Sequence, residues 1–317
     1  MDWVPLIFID DVCHQLNKRA FKQVSQLSGS WPSFGAEHGE KRREFDFQCK
    51  LKGNEEVRYV LRRNTYWPYR EVTVADLNLE FDRITSFAWG STSVSSNNHR
   101  VSLREFERVV LPTIAPLVTN CCWSHLAPQR SAQNQIFFNA FKNCSGFNAI
   151  TVQEQGEESR DFVVRQVELG YVQRLTLYSN RESITWSEPE KLAETLKKFV
   201  KSGRFDKLMS WNPLPNCFEM FELFLQRALA GELKRGAFIR IQDSTFSASQ
   251  LDALLPGCCA DAEKLEWKIP DSNLRISFYQ LCGLMEVNLA CILISKLRRL
   301  TTNKLIVLNQ NIGFSKF

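Results

Sequence analysis

Three groupings of side chains in this chain could carry chemistry. Cys13 and His14 supply the two halves of a thiol–imidazole couple, in which the imidazole takes the thiol proton and the thiolate attacks an electrophilic carbon. Consecutive residues on a helix point about 100° apart, so these two side chains diverge. Cys13 on an apolar helix face, with His14 beside it, is the better account. Cys121, Cys122 and His125 could approach one zinc ion, yet no further ligand stands at a spacing that completes a tetrahedral set. The trio reads as a buried cysteine pair with a surface histidine. Asp10 and Asp11 look like the paired carboxylates of an acid–base site, but acids in a first helix are already favoured by its dipole. The other histidines, His38 and His99, are distant in sequence. G-x-S-x-G, G-x-x-x-x-G-K, H-E-x-x-H and a G-x-G-x-x-G opening a helix after a strand are all missing. The expectation is no catalytic residue, no metal, no cofactor and no enzyme.

The elements that would position such residues begin with two short helices. Phe8, Ile9, Val12, Cys13 and Leu16 recur at helical spacing, and Phe21, Val24 and Leu27 follow before Gly29. Residues 32 to 44, with Pro32, Gly35, Gly39 and the basic run Lys41 to Arg43, read as a linker. The expected division is therefore a helical module at 1–31, a linker at 32–44 and an α/β region at 45–317. Phe45, Phe47, Cys49 and Leu51 alternate as a half-buried strand does, with Val57 to Leu61 as its hairpin partner. Ser102 with Glu105, Ser187 with Glu190 and Ser247 with Gln250 have the spacing of helix capping boxes.

In the second half an apolar strand triplet recurs ahead of amphipathic helices. It reads Phe147, Ile150, Val152; Val172, Leu175, Leu177; Phe205, Leu208; Ile239, Ile241; Ala262, Leu265, Trp267; and Thr302, Leu305, Val307. Each unit has an apolar strand face and helix stripe that it cannot bury alone, so the pattern predicts an irregular leucine-rich-repeat-like α/β solenoid with neighbouring units stacked. Trp211 and Trp267 fall at or just after such strands, where they would sit on the concave face as anchors for a partner.

Composition fits a globular protein: 44% hydrophobic, 24% charged and a net charge of only +5 over 317 residues. The basic cluster Lys197, Lys198, Lys201, Arg204 and Lys207 has no aromatic platform running through it, so a solvated face is expected there and no nucleic acid. Ten cysteines without a secretory signal or a Cys-x-x-Cys point to reduced thiols, hence cytoplasm or nucleus. The longest apolar run near the end, Leu289 to Ile294, is too short to span a bilayer, and no membrane partner is expected.

The opening Asp2-Trp3-Val4-Pro5-Leu6-Ile7-Phe8-Ile9-Asp10-Asp11-Val12, followed by Leu16, Phe21, Val24, Leu27 and Trp31, resembles the start of F-box proteins. More narrowly, the chain resembles the nematode group of F-box-like proteins, which pair such a start with a divergent region of irregular repeats. That resemblance implies that Val4, Pro5, Phe8, Ile9, Val12 and Leu16 dock on the adaptor subunit of a cullin ubiquitin ligase. The repeats would hold an unknown protein substrate. The function expected is that of a non-enzymatic substrate receptor; the alternative is a free-standing repeat binding module whose first helices cap the solenoid.

Overall fold

The computed structural model describes residues 4–16, 18–53, 55–63, 71–90, 94, 98–125, 134–154, 156–178, 186, 188–211, 214, 217–234 and 236–242, and beyond these the strands within 259–291 as backbone. β1 (Arg43–Lys52) and β2 (Glu56–Arg63) form the hairpin that the alternation at Phe45 to Leu51 predicts, in register from Phe45 opposite Arg63 to Lys52 opposite Glu56. β3 (Glu71–Val72) and β5 (His99–Ser102) also pair with β2, antiparallel. On the other side of β1 the sheet turns parallel. It runs through β4 (Asp82–Trp89), β6 (Val118–His125), β7 (Phe147–Gln153), β8 (Arg174–Tyr178), β9 (Lys207–Ser210) and β10 (Phe238–Gln242). It then reverses again into an antiparallel meander of β14 (Leu284–Cys291), β13 (Leu274–Leu281), β12 (Lys264–Lys268) and β11 (Cys259–Asp261).

Ile150, Leu175, Leu208 and Ile239 lie directly beside one another on parallel strands. Each is at most 1% exposed. They meet the apolar stripes of α7 (Glu157–Leu169), α8 (Pro189–Lys201) and α9 (Cys217–Leu229), and α8 alone buries Leu192, Ala193, Leu196, Phe199 and Val200. Truncating one of these strand residues removes contacts that rigid neighbours cannot restore. Leu175→Ala or Leu208→Ala should each lower the unfolding free energy by about 2–5 kcal/mol in urea titration.

The architecture is nevertheless a mixed α/β fold around one 14-stranded sheet, and the repeat solenoid expected over 45–317 is corrected by it. Leu265 and Trp267 do not continue the parallel series: β12 pairs antiparallel with β11 and β13. At the other end β1 and β2 form an antiparallel hairpin. Stacked repeats would keep every strand parallel, whereas here the chain reverses on both flanks of the parallel centre. Leu305 lies outside the described residues.

Before β6 the chain winds through α4 (Leu103–Glu105), a π turn at Phe106–Val110 and α5 (Leu111–Ile114). Pro112 offers no N–H and its ring crowds the preceding turn, which accounts for the widened winding just before it. Ser102 caps this stretch by accepting from the Glu105 N–H at 3.1 Å. α8 has Pro189 in its first turn and is entered from Glu188 in the left-handed region at φ 47°; Ser187, expected to cap it, lies outside the described residues. Ser247 lies outside the described residues. α6 (Asn134–Phe141) places Phe137, Phe138 and Phe141 into the same core.

Residues 32–44 are not a linker. Trp31–Lys41 forms α3, which packs with α1 (Leu6–Gln15) and α2 (Phe21–Val24) around a small core of Ile9, Cys13, Phe21, Val24 and Trp31.

Candidate functional site

Two surfaces collect side chains that can do more than fill space. The first is the helical module. A carboxylate at its centre joins it to the sheet: Asp10 accepts from the Nε2–H of His14 at 3.1 Å and of His38 at 2.7 Å. The opposite nitrogens, both Nδ1, face guanidinium groups, His14 meeting Arg83 and His38 meeting Arg42 at 3.4 Å. A guanidinium has no lone pair to offer, so both Nδ1 atoms must accept and both Nε2 atoms must carry the proton. Arg42 also donates to the carbonyls of Cys13 at 2.8 Å and Leu16 at 2.9 Å. Arg83, on β4, donates to the carbonyl of His14 at 3.3 Å. Burial pulls the Arg83 guanidinium down to about 10, against the opposing pull of Asp10. Burial likewise lowers Arg42.

Asp10, His14 and His38 could be taken for a two-histidine, one-carboxylate metal set, since each has a ligand atom within 4.8 Å of the others. The hydrogen bonds oppose that use. A histidine that ligates through Nε2 holds its proton on Nδ1, and here both Nδ1 atoms are aimed at cations. The cluster is a clamp between module and sheet, completed by Asn120, whose Nδ2–H donates to the Gln15 carbonyl at 2.9 Å. The i,i+4 spacings of Asp10 with His14 and His38 with Arg42 are visible in the sequence, but the separations of 28 and 69 residues that join them are not.

On the outside of this module the first turn of α1 is bare. Leu6, Ile7 and Phe8 are 56%, 74% and 53% exposed. Phe8 meets Trp31 edge-on at 6.5 Å between ring centres. Of the residues expected to dock a partner, Pro5 and Phe8 are exposed, Val4, Val12 and Leu16 are half-buried against the module core, and Ile9 is sealed inside it. The Pro5 carbonyl accepts the N–H groups of Phe8 and Ile9 at 3.0 and 3.2 Å and so starts the helix.

The second surface is the sheet face turned away from the helices. Ser86, Cys122, Thr151, Thr176, Met209 and Arg240 alternate with the buried strand residues and keep access to solvent. At one end of this face, register shifts in β4, β6 and β7 fall at the same level, and an open groove of about 460 Å³ lies there between Lys18 and Arg19 on one wall and Asp46, Thr85, Asn120 and Asn148 on the sheet. Burial raises the Asp46 carboxyl, with Arg62 opposing. Farther along, Trp211 stacks on Tyr178 at 5.8 Å with an interplanar angle of 9°. Trp267 sits on β12 opposite Ile276, and its side chain lies outside the described residues. Cys122 is exposed and accepts from Arg174 at 3.6 Å; Cys121 is buried, and burial pushes its thiol well up.

No family model and no curated protein matches the chain. Among solved structures it is similar to the MycE methyltransferase of the mycinamycin biosynthetic pathway. In one crystal form with Mg and SAH, identity is 12% and the TM-score 0.26, over 98% of this chain and 100% of that one. A second form gives 11% and 0.25 over 91% and 93%, and the complex with Mg, SAH and mycinamycin VI gives 10% and 0.26 over 93% and 99%. At these TM-scores no residue, cofactor or reaction is carried over. The expectation of a non-enzymatic, repeat-based ligase receptor is corrected here: the strands it rested on belong to one mixed α/β sheet that turns antiparallel on both flanks, not to stacked repeats. The same holds for its alternative of a capped repeat module. Among the described residues no helix is long and apolar enough to cross a membrane.

Proposed function

We propose that the α1–α3 module is a docking element whose bare first turn seats in an apolar groove of a partner protein. The adaptor subunit of a cullin ubiquitin ligase is the partner that the opening residues' resemblance to F-box-like proteins implies. The proposal concerns the module and gives the sheet no receptor role. The single observation that carries it is the division of α1 between two fates. Ile9 and Cys13 are 1% and 0% exposed and hold the helix in place, while Leu6, Ile7 and Phe8 next to them keep more than half of their surface in water. Three adjacent large apolar side chains on a rigidly anchored helix form the kind of patch that soluble proteins keep for a partner. The compartment proposed is cytoplasm or nucleus, supported by five described cysteines that all stand as free thiols.

The test is co-purification of the full chain with the adaptor. Ile7→Asp and Phe8→Asp should abolish recovery of the complex while leaving the melting temperature within a few degrees of wild type, because both sites are open to solvent. Ile9→Asp buries a charge and should unfold the module instead, at about 3 kcal/mol or more. Recovery that survives Ile7→Asp and Phe8→Asp together, or no complex with the wild-type chain, would refute the docking role for this partner.

A further inference from the structure

We infer that the open face of β7 to β10 is a binding platform for single-stranded nucleic acid. These four strands read Phe147–Gln153, Arg174–Tyr178, Lys207–Ser210 and Phe238–Gln242, and they contain no aspartate or glutamate. Their outward positions carry three cations. Arg174 stands directly beside Lys207, and Arg240 lies beside Met209 one step along the next strand. Aromatic rings are interleaved with these cations. Lys207 stands beside Phe238 in the sheet, with its ammonium 5.2 Å from the ring centre. Tyr178 and Trp211 form their parallel stack at the strand ends, and Arg204 lies over the exposed Tyr171 ring at 5.1 Å.

The chemistry of the surface selects the ligand. Arg174 and Lys207, side by side on strands about 4.8 Å apart, form a pair of cations that can reach successive phosphates of a polyanion, while Arg240 stands opposite Glu286 of β14 in the register. Flat aromatic and guanidinium surfaces between the cations suit unstacked bases, which a single strand offers and a duplex does not. The Trp211 indole N–H is buried with no hydrogen-bond acceptor among the described residues, and its ring stacks on Tyr178. Phe205, the aromatic neighbour of Arg204 in sequence, is buried in the core and so does not announce this face. Tyr171, Trp211 and Phe238 reach the basic residues only through the sheet.

Fluorescence anisotropy with labelled single-stranded RNA and DNA of about twelve nucleotides tests the inference on the full chain. Saturable binding is expected below about 0.1 mM, weakening as salt rises from roughly 50 to 200 mM. Intrinsic tryptophan fluorescence should be quenched on binding. The double variant Arg174→Gln, Lys207→Gln should reduce affinity at least about tenfold and flatten the salt dependence. Trp211→Leu should reduce affinity about tenfold with the salt dependence kept. Circular dichroism melting should show both variants folded; if Trp211→Leu does not fold, Tyr178→Leu takes its place. Absence of saturable binding to either strand, equal affinity for duplex DNA or heparin, or binding indifferent to these substitutions would overturn the inference.

Discussion

Gly146→Ala should lower the stability of this chain by about 3 kcal/mol or more in a urea titration, one of its most damaging single-methyl additions. A Cβ at this position would lie 2.0 Å from the carbonyl oxygen of Val118 and 2.6 Å from its carbonyl carbon. Both are backbone atoms, so no side-chain rotation relieves the clash. The strand entries cannot separate freely either, because the Gly146 carbonyl accepts from the Cys121 N–H at 2.8 Å. That bond holds the start of β7 against the irregular start of β6, where Asn120 adopts φ 47°. Forcing the two apart would spread to Phe147 and Trp123, which lie in the core. A wild-type midpoint for Gly146→Ala would mean that β6 and β7 do not enter the sheet as described.

Asp10→Ala should cost about 2–4 kcal/mol and release the helical module from the sheet. Asp10 is the common acceptor for two imidazole N–H groups, and its neighbours Arg42 and Arg83 are 1% and 4% exposed. Removing the carboxylate leaves the buried Arg83 guanidinium without the anion that opposes its desolvation and strands the His38 donor, itself 1% exposed. The side chain of Asp10 keeps about a third of its surface in solvent, which places the loss below that of a fully buried pair. Limited proteolysis should then cut first between the module and β1. If Asp10→Ala leaves both stability and cleavage unchanged, the clamp does not hold the module.

Which features the sequence displays follows from the range of the interactions that make them. The Ile150, Leu175, Leu208 and Ile239 ladder is visible because period-two apolar residues register a half-buried strand whatever its neighbours are. The same pattern is blind to strand direction, which is why Leu265 and Trp267, on an antiparallel strand, look like members of the parallel series. α3 is hidden by residues that usually break helices. Pro32 falls in the first turn, where its missing N–H is harmless, and Gly35 serves contact rather than flexibility. A Cβ on Gly35 would sit 2.8 Å from Val24, so α3 approaches α2 this closely only with glycine there, whereas one on Gly39 would make ordinary contact with Phe21 at 3.5 Å. Asp10 and His14 announce themselves only as isolated polar residues. Their meaning depends on His38, Arg42 and Arg83, which folding alone brings to them. Likewise Trp211 is legible as an exposed-strand aromatic, while its partner Tyr178 comes from the neighbouring strand.

Hydrogen–deuterium exchange on the full chain, with and without the purified adaptor subunit, tests the docking role of α1 most directly. The described arrangement predicts that the adaptor slows exchange at residues 6–8 and the turns next to them, while the strands β7 to β10 exchange as before. Unchanged exchange at Leu6, Ile7 and Phe8 under saturating adaptor, or protection confined to the sheet, would contradict it.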